Sequence, residues 1–484
     1  MKRREQENLV YQQLVAQLRR GQMSRRQFLH NAFAVGLGLG GVSVLASCGA
    51  QAPTAAPVQQ QEEAAAPASS SNGGRPLTPT FYQWINDLHP SVPAVNSAFG
   101  EVDYQIAPVQ GFDVARFVAE GKNQNSTWDV YVGMTPFVEM AALIEADVIE
   151  PWDNYIPKEV LNDMIPSIRE ECTVNGKLYS WPFLLDIIVQ GYNASLVEAA
   201  GLADVPPADW DEFIANSNAV VESGAALYGG TFDANGWRSI APITHSISTD
   251  VYYMLDGDDS GVPLFDFTSE PAVQALEIMN EILKTSAANA LQPGATDGGV
   301  NQTPDEVSFT AQEVAYYVKY QNAPLRMAAL WPDPSALRMG ALPKAKGGEG
   351  STVFWTTGAC LFKWGQNKEK AAEYMRALTY DPQIWQDSIA GSSSGHPGQL
   401  PPYKSVYAQL ESEKPDWFTE QAWVPLVRSQ LDVAKAIPNH SFGLQQFIIG
   451  QPFWQKYFTG ELSDPVAALQ EAKDAVAAEV KKTS

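Results

Sequence analysis

Apolar residues along this chain recur in two rhythms that take turns. Strand-like runs fall at residues 80–85, at 101–106 with Val102, Tyr104 and Ile106 on one face, and at Asp129-Val130-Tyr131-Val132. Helical spacing comes between and after them. Trp210, Phe213, Ile214, Val220 and Val221 share one face of a segment opened by Pro206-Pro207, and Ala371, Tyr374, Met375 and Leu378 share another. Thr268-Ser269 with Pro271 in the first turn predicts the capped start of a helix that continues through Leu276, Met279 and Leu283. Short strands separated by helices predict α/β lobes with a largely parallel sheet. The chain carries no internal repeat.

The first residues break this rhythm. Residues 33–47 form a weakly apolar run with four glycines, too short for a spanning helix of about 20 residues. Ser24-Arg25-Arg26-Gln27-Phe28-Leu29 before it resembles a twin-arginine export motif, with His30 where lysine is commoner. Leu45-Ala46-Ser47-Cys48 after it resembles a bacterial lipobox. In that order the three segments predict a cleaved signal whose Cys48 becomes a lipid anchor on the outer side of the cell membrane. Residues 51–76, rich in Ala, Pro, Gln and Ser, bury too little apolar surface to offset ordering and read as a flexible tether.

Composition is that of a globular body: 45% hydrophobic, 11% aromatic and 18% charged, with a net charge of −23. Removing residues 1–47 leaves 25 basic against 53 acidic side chains, a net charge of −28. That sign argues against nucleic acid, whose phosphates need clustered Lys and Arg. With Cys48 assigned to the anchor, Cys172 and Cys360 remain and are expected as buried free thiols.

A series of motifs follows in order along the body. Asn175-Gly176-Lys177-Leu178-Tyr179-Ser180-Trp181-Pro182 is followed by Tyr192-Asn193, Leu202, Pro206-Pro207 and Asp209-Trp210-Asp211-Glu212-Phe213. Next come residues 309–315, with Gln312 at a glycine position, then Ala341-Leu342-Pro343-Lys344 with Gly347-Gly348, and residues 367–378. Thr459-Gly460-Glu461 before Val466-Ala467-Ala468-Leu469 closes the series. This ordered set resembles the family 1 extracellular solute-binding proteins, the group containing maltose-binding protein. The resemblance implies an α/β fold of the type II periplasmic-binding-protein kind, two lobes joined by hinge-crossing strands. It places residues 1–47 in the signal and 48–76 in the tether. Residues 77–186 with 347–396 then form the first lobe, and 187–346 with 397–484 the second. It further implies a substrate-binding lipoprotein of an ABC importer, whose partners are a small ligand, expected to be a sugar or oligosaccharide, and the membrane permease.

A sugar offers hydroxyl edges and C–H faces, so its site needs aromatic platforms and charged or amide hydrogen-bonding groups. Asp186, a lone acid between Phe183-Leu184-Leu185 and Ile187-Ile188-Val189, must have a partner, either a ligand or a structural donor. The resemblance places a hydroxyl-binding acid at its position. Trp84, Asn86 and Asp87 follow the first strand and Thr135 the third, where α/β sheets hold ligand loops; Trp84 reads equally as core. Tyr320, Asn322 and Trp331 follow the segment 309–315, near where the family supplies a stacking aromatic. Trp355 follows the second crossing, and Trp237 sits on a polar turn beside Arg238.

Other signals fall short of chemistry. Gly391-Ser392-Ser393-Ser394-Gly395 has the spacing of a nucleophile elbow without the strand before it. Asp256-Gly257-Asp258-Asp259-Ser260-Gly261 begins like a calcium loop, but Phe267 stands where a bidentate glutamate is required. Tyr252-Tyr253 and Tyr316-Tyr317 are similar to the paired tyrosines of ferric-iron binding proteins, though the second pair reads as core. Histidines stand singly and no cofactor motif occurs, so no catalytic residue, metal or cofactor is expected. A polyamine or ferric-iron binder, or an exported carbohydrate-active enzyme with two facing acids, are the alternative readings.

Overall fold

The computed structural model describes residues 75–483 apart from 82–84, 86–90, 101, 104, 107–113, 234, 292–302, 383, 386–397, 399 and 414–422. These belong to one compact unit, residues 73–484. The signal, Cys48 and nearly all of the tether lie outside the described residues, as does the Gly391–Gly395 motif.

In chain order the strands are β1 (Pro79–Phe81), β2 (Gln105–Ile106), β3 (Val130–Met134), β4 (Ile149–Glu150), and a small hairpin of β5 (Thr173–Val174) and β6 (Lys177–Leu178). Then come the long β7 (Trp181–Asn193), β8 (Tyr228–Phe232), the paired β9 (Tyr252–Tyr253) and β10 (Leu264–Phe265), β11 (Val314–Tyr320), β12 (Leu337–Gly340) and β13 (Phe354–Phe362). One nine-stranded sheet runs β2-β1-β3-β13-β7-β11-β8, with β4 on β13 and β12 on β7. It is mixed, where the alternation of strands and helices predicted a largely parallel one. β1 lies parallel to β2 and β3, and β8 to β11. The centre is antiparallel, because β13 runs back along both β3 and β7, and β11 and β12 run back along β7. Direction depends on how connections return, which periodicity does not encode.

β7 organises the molecule. All thirteen residues are buried, which explains its nearly continuous apolar sequence, the pattern of a strand covered on both faces. Its first half, Trp181 and Phe183 to Ile187, packs in a core with Trp128, Trp152, Tyr374 and Trp385. Its second half, through Ile188 and Tyr192, packs in another with Trp210, Phe265, Phe267, Phe447 and Trp454. One strand thus belongs to two lobes.

Two further segments cross beside it. The Ile188 N–H donates to the Val353 carbonyl at 3.0 Å and the Thr352 hydroxyl to the Ile188 carbonyl at 2.8 Å. Lys435 N–H in turn donates to the Thr352 carbonyl at 2.9 Å. These bonds hold Lys435 beside Thr352 and Val353. Leu400, Tyr403, Val406 and residues through Ala434 put their buried side chains in the first core, and the chain reaches the second at Ile437. The bridges Met164↔Tyr403 and Leu185↔Leu400 hold that returning segment to the first lobe. Before Val353, Gly350 N–H donates to the Ser246 carbonyl at 3.3 Å.

Local signals produced the helices they promised. Asp209 caps Trp210–Glu222 by accepting from Glu212 N–H at 2.9 Å, and Ser269 caps Glu270–Leu283 through Ala272 N–H. Gln312, at the glycine position of its motif, adopts φ +56°, the left-handed conformation for which glycine is the ordinary choice. Cys172 and Cys360 are buried and unpaired, as expected.

Candidate functional site

Asp186 sits on β7 at the last residues before the crossing, directly opposite Trp355 of β13. It is 7% exposed. Asn322, the first residue of the helix Asn322–Ala328, donates its Nδ2 to Asp186 Oδ1 at 2.6 Å, and Gln321 Nε2 adds a longer bond of 3.3 Å. Among the described residues Oδ2 has no donor. Burial pushes the carboxyl up to about 6, against the lowering pull of Arg238, Arg326 and the two amide bonds. A carboxylate with one satisfied oxygen and one open oxygen is a group that can take a hydroxyl donor.

Gln321 holds the acid in place. It accepts from Ile187 N–H at 2.7 Å through Oε1, and its Nε2 donates to the Leu185 and Gly398 carbonyls at 2.8 Å and 3.1 Å. Arg326 then fixes Asn322, donating Nε to Asn322 Oδ1 at 3.0 Å. Asn322 thereby turns its amino group toward Asp186.

Three aromatic rings converge beside the acid. Trp355 meets Trp237 edge-to-face at 4.8 Å, and Tyr320, the last residue of β11, meets Trp355 at 5.9 Å. Trp237, at the start of the helix Trp237–His245, also contacts Phe137 at 4.9 Å. The Arg238 guanidinium stands among them, 4.9 Å from the Trp237 ring centre, 5.0 Å from Tyr320 and 5.7 Å from Trp355.

Beneath the rings lies an ionic network. Lys319, 1% exposed, reaches Asp305 at 2.7 Å, Glu306 at 3.0 Å and Asp233 at 3.3 Å. Burial alone would lower its pKa, but the three acids outweigh it and hold the ammonium charged. Burial would raise Asp233, yet Lys319 and Arg238 keep it below its ordinary range. Asp305 goes the other way: burial raises it, the charge on Asp233 adds to that, and Lys319 offsets them in part.

Of the residues singled out in the sequence, Asp186, Trp237, Tyr320, Asn322 and Trp355 come together here. Thr135 lies at the end of β3, its N–H donating to Glu139 at 2.7 Å, and approaches the group through Phe137, two residues on. Trp331 packs elsewhere, in a small cluster with Phe309 and Tyr317, with its indole N–H committed to the Phe309 carbonyl at 3.1 Å. Trp84, Asn86 and Asp87 lie outside the described residues. Sequence reasoning passed over Gln321, Arg326 and Arg238 as site members, although Gln321 lies between two chosen residues and Arg238 follows another. Among the described residues no group of three or more His, Cys, Asp or Glu is placed to hold a metal ion. Tyr316 and Tyr317 are fully buried, and Tyr252 is hydrogen-bonded to His245 Nε2 at 2.7 Å.

Two α/β lobes sharing crossing strands, with aromatic and polar groups gathered at the crossing, define a two-lobed binding-protein fold. Solved structures agree. The GacH receptor of Streptomyces glaucescens, studied unliganded and with acarbose, is 18% identical, with a TM-score of 0.63 over 84% of this chain and 98% of its own. T. maritima MalE3 with maltose bound is 17% identical, with a TM-score of 0.65 over 84% and 99%. A solute-binding protein of Thermotoga lettingae bound with α-D-tagatose is 18% identical, with a TM-score of 0.63 over 84% and 98%. Residues 93–383, more than half of the chain, match the family described as bacterial extracellular solute-binding protein, and the chain belongs to that family. Relatives from Brucella abortus and Brucella suis, named no further than as binding proteins, are 25% identical over 236 residues, or 47% of this chain. The match spans about half the length of these relatives, 53%. Among the described residues no helix is long and apolar enough to cross a membrane.

Proposed function

We propose that the chain captures a neutral sugar or oligosaccharide between its lobes, without catalysis, and delivers it to the membrane permease of an ABC importer. In this reading Cys48 carries the lipid that keeps the protein at the outer side of the cell membrane, and residues 48–76 give it reach. The observation that carries the ligand class is the open Oδ2 of Asp186 beside Trp237, Tyr320 and Trp355. A pyranose needs that pairing: C–H faces pack on rings while hydroxyls bond to a carboxylate. The acarbose, maltose and tagatose in the three neighbouring structures support the same class.

A polyamine or ferric ion fits less well. Lys319, Arg238 and Arg326 already sit among the acids of the site and repel a second cation. A thermal-shift screen of the full chain against neutral mono- and oligosaccharides, spermidine and ferric citrate tests the assignment. Selective binding to the folded state raises the melting temperature. At least one neutral sugar is expected to do so; a shift with spermidine or iron and none with any sugar overturns the reading.

A further inference from the structure

The frame made by Trp237, Tyr320 and Trp355 already contains a cation, and it is the protein's own. All three ring centres lie within the roughly 6 Å reach of a cation–π contact to Arg238. Yet the guanidinium is poorly satisfied in its hydrogen bonds. Nη1 meets Asp233 Oδ2 only at 3.5 Å, and Nε is buried with no partner. A guanidinium has five N–H donors, and one left bare in a buried position asks for an acceptor. The side chain as a whole is still 28% exposed.

We propose that Arg238 sets the ligand class of the site, holding the aromatic frame against amines and quaternary ammonium ions and offering its free N–H groups to a neutral ligand. The inference rests on the reading of this place as the ligand site. A hydroxyl can accept from Arg238 and donate to Asp186 Oδ2; a protonated amine can do only the second, a quaternary ammonium neither, and both meet the guanidinium's charge. An anionic sugar gains Arg238 but faces the carboxylate of Asp186.

The charge arrangement makes the exclusion reversible by one substitution. Four acids, Asp186, Asp233, Asp305 and Glu306, share the place with three cations, Arg238, Arg326 and Lys319. Taking away Arg238 leaves three rings facing an empty space with acids at its edge. That is the composition of an aromatic cage for ammonium groups.

The test titrates choline chloride into the full chain and into Arg238→Gln and Arg238→Lys by calorimetry, with a melting curve for each protein. Wild type and Arg238→Lys, which both keep the charge, are expected to bind no choline. Arg238→Gln is expected to bind it, at least about tenfold more tightly than the detection limit that wild type does not reach. Choline binding by wild type overturns the proposal, as does a folded Arg238→Gln that gains none. Should Arg238→Gln not fold, Arg238→Met, which keeps the apolar stem over the rings, takes its place in the comparison. The two readings fail separately. A wild type that takes no neutral sugar, with a choline gain in the variant, removes the sugar assignment alone. Sugar binding in wild type, with no choline gain in a folded variant, removes the role of Arg238 alone.

Discussion

Glu171 offers a stability prediction whose sign follows from its surroundings. It ends the helix Pro166–Glu171, is 4% exposed, and accepts from Thr356 N–H at 3.1 Å and from the Thr356 hydroxyl at 2.8 Å. Burial pushes its carboxyl from 4.5 up to about 8, against the lowering effect of the Thr356 bonds. The folded chain therefore keeps a proton that the unfolded chain releases above about pH 4.5. This contribution to stability is fully present below that pH, declines as pH rises toward about 8, and is then flat. The slope cannot exceed about 1.4 kcal/mol per pH unit, so the whole interval has a ceiling of about 5 kcal/mol. Relaxation around the ionised carboxylate should trim this to about 2–4 kcal/mol. Glu171→Gln keeps the size of the side chain and cannot ionise. Urea unfolding of wild type and variant at pH 5 and pH 8 reads the difference directly. Glu139, also pushed up to about 8 by burial, is present in both proteins and cancels. The variant should gain on wild type by about 1.5–3 kcal/mol between the two pH values. An unchanged difference would mean that Glu171 is ionised throughout, and the reasoning fails.

Asp186→Asn removes the charge but keeps an acceptor for Asn322, so the fold should stand while sugar affinity drops about tenfold to a hundredfold, the worth of a charged hydrogen bond. Calorimetry with the sugar found in the thermal-shift screen measures it; unchanged affinity removes Asp186 from the site. In Lys319→Met the acids Asp233, Asp305 and Glu306 lose their shared cation, and stability should fall by about 3–5 kcal/mol. Urea unfolding at neutral pH checks this, and a loss below about 1 kcal/mol would show that protonation of the acids absorbs the change.

What could be read in advance was local. Helices Trp210–Glu222 and Glu270–Leu283 announce themselves by caps and period, and Lys368–Thr379 by period, because each signal lies within a few residues. β7 was visible as an apolar run, and Asp186 as the one charge inside it. Strand direction and the place of Lys435 beside Thr352 were not visible. Lys435 lies there because it bonds Thr352 and Phe354, residues far away in sequence, and nothing in its own neighbourhood differs from a loop. Arg238 was hidden for the same reason: of the rings around it only Trp237 is a sequence neighbour. The lone acid could be found from what surrounds it in the chain, whereas the arginine is defined by what surrounds it in space.

Asp186 and Trp355 face each other on neighbouring crossing strands, tied by the hydrogen bonds of the antiparallel ladder. Any rotation of one lobe against the other about those strands carries the outer loops through an arc and leaves this pair almost where it was. In the proposed reading, a ligand resting on them sits between the lobes at the end nearest the axle. Its first contacts would then be the same whether the lobes stand apart or together, and only contacts farther from the axle could sense that they had come together.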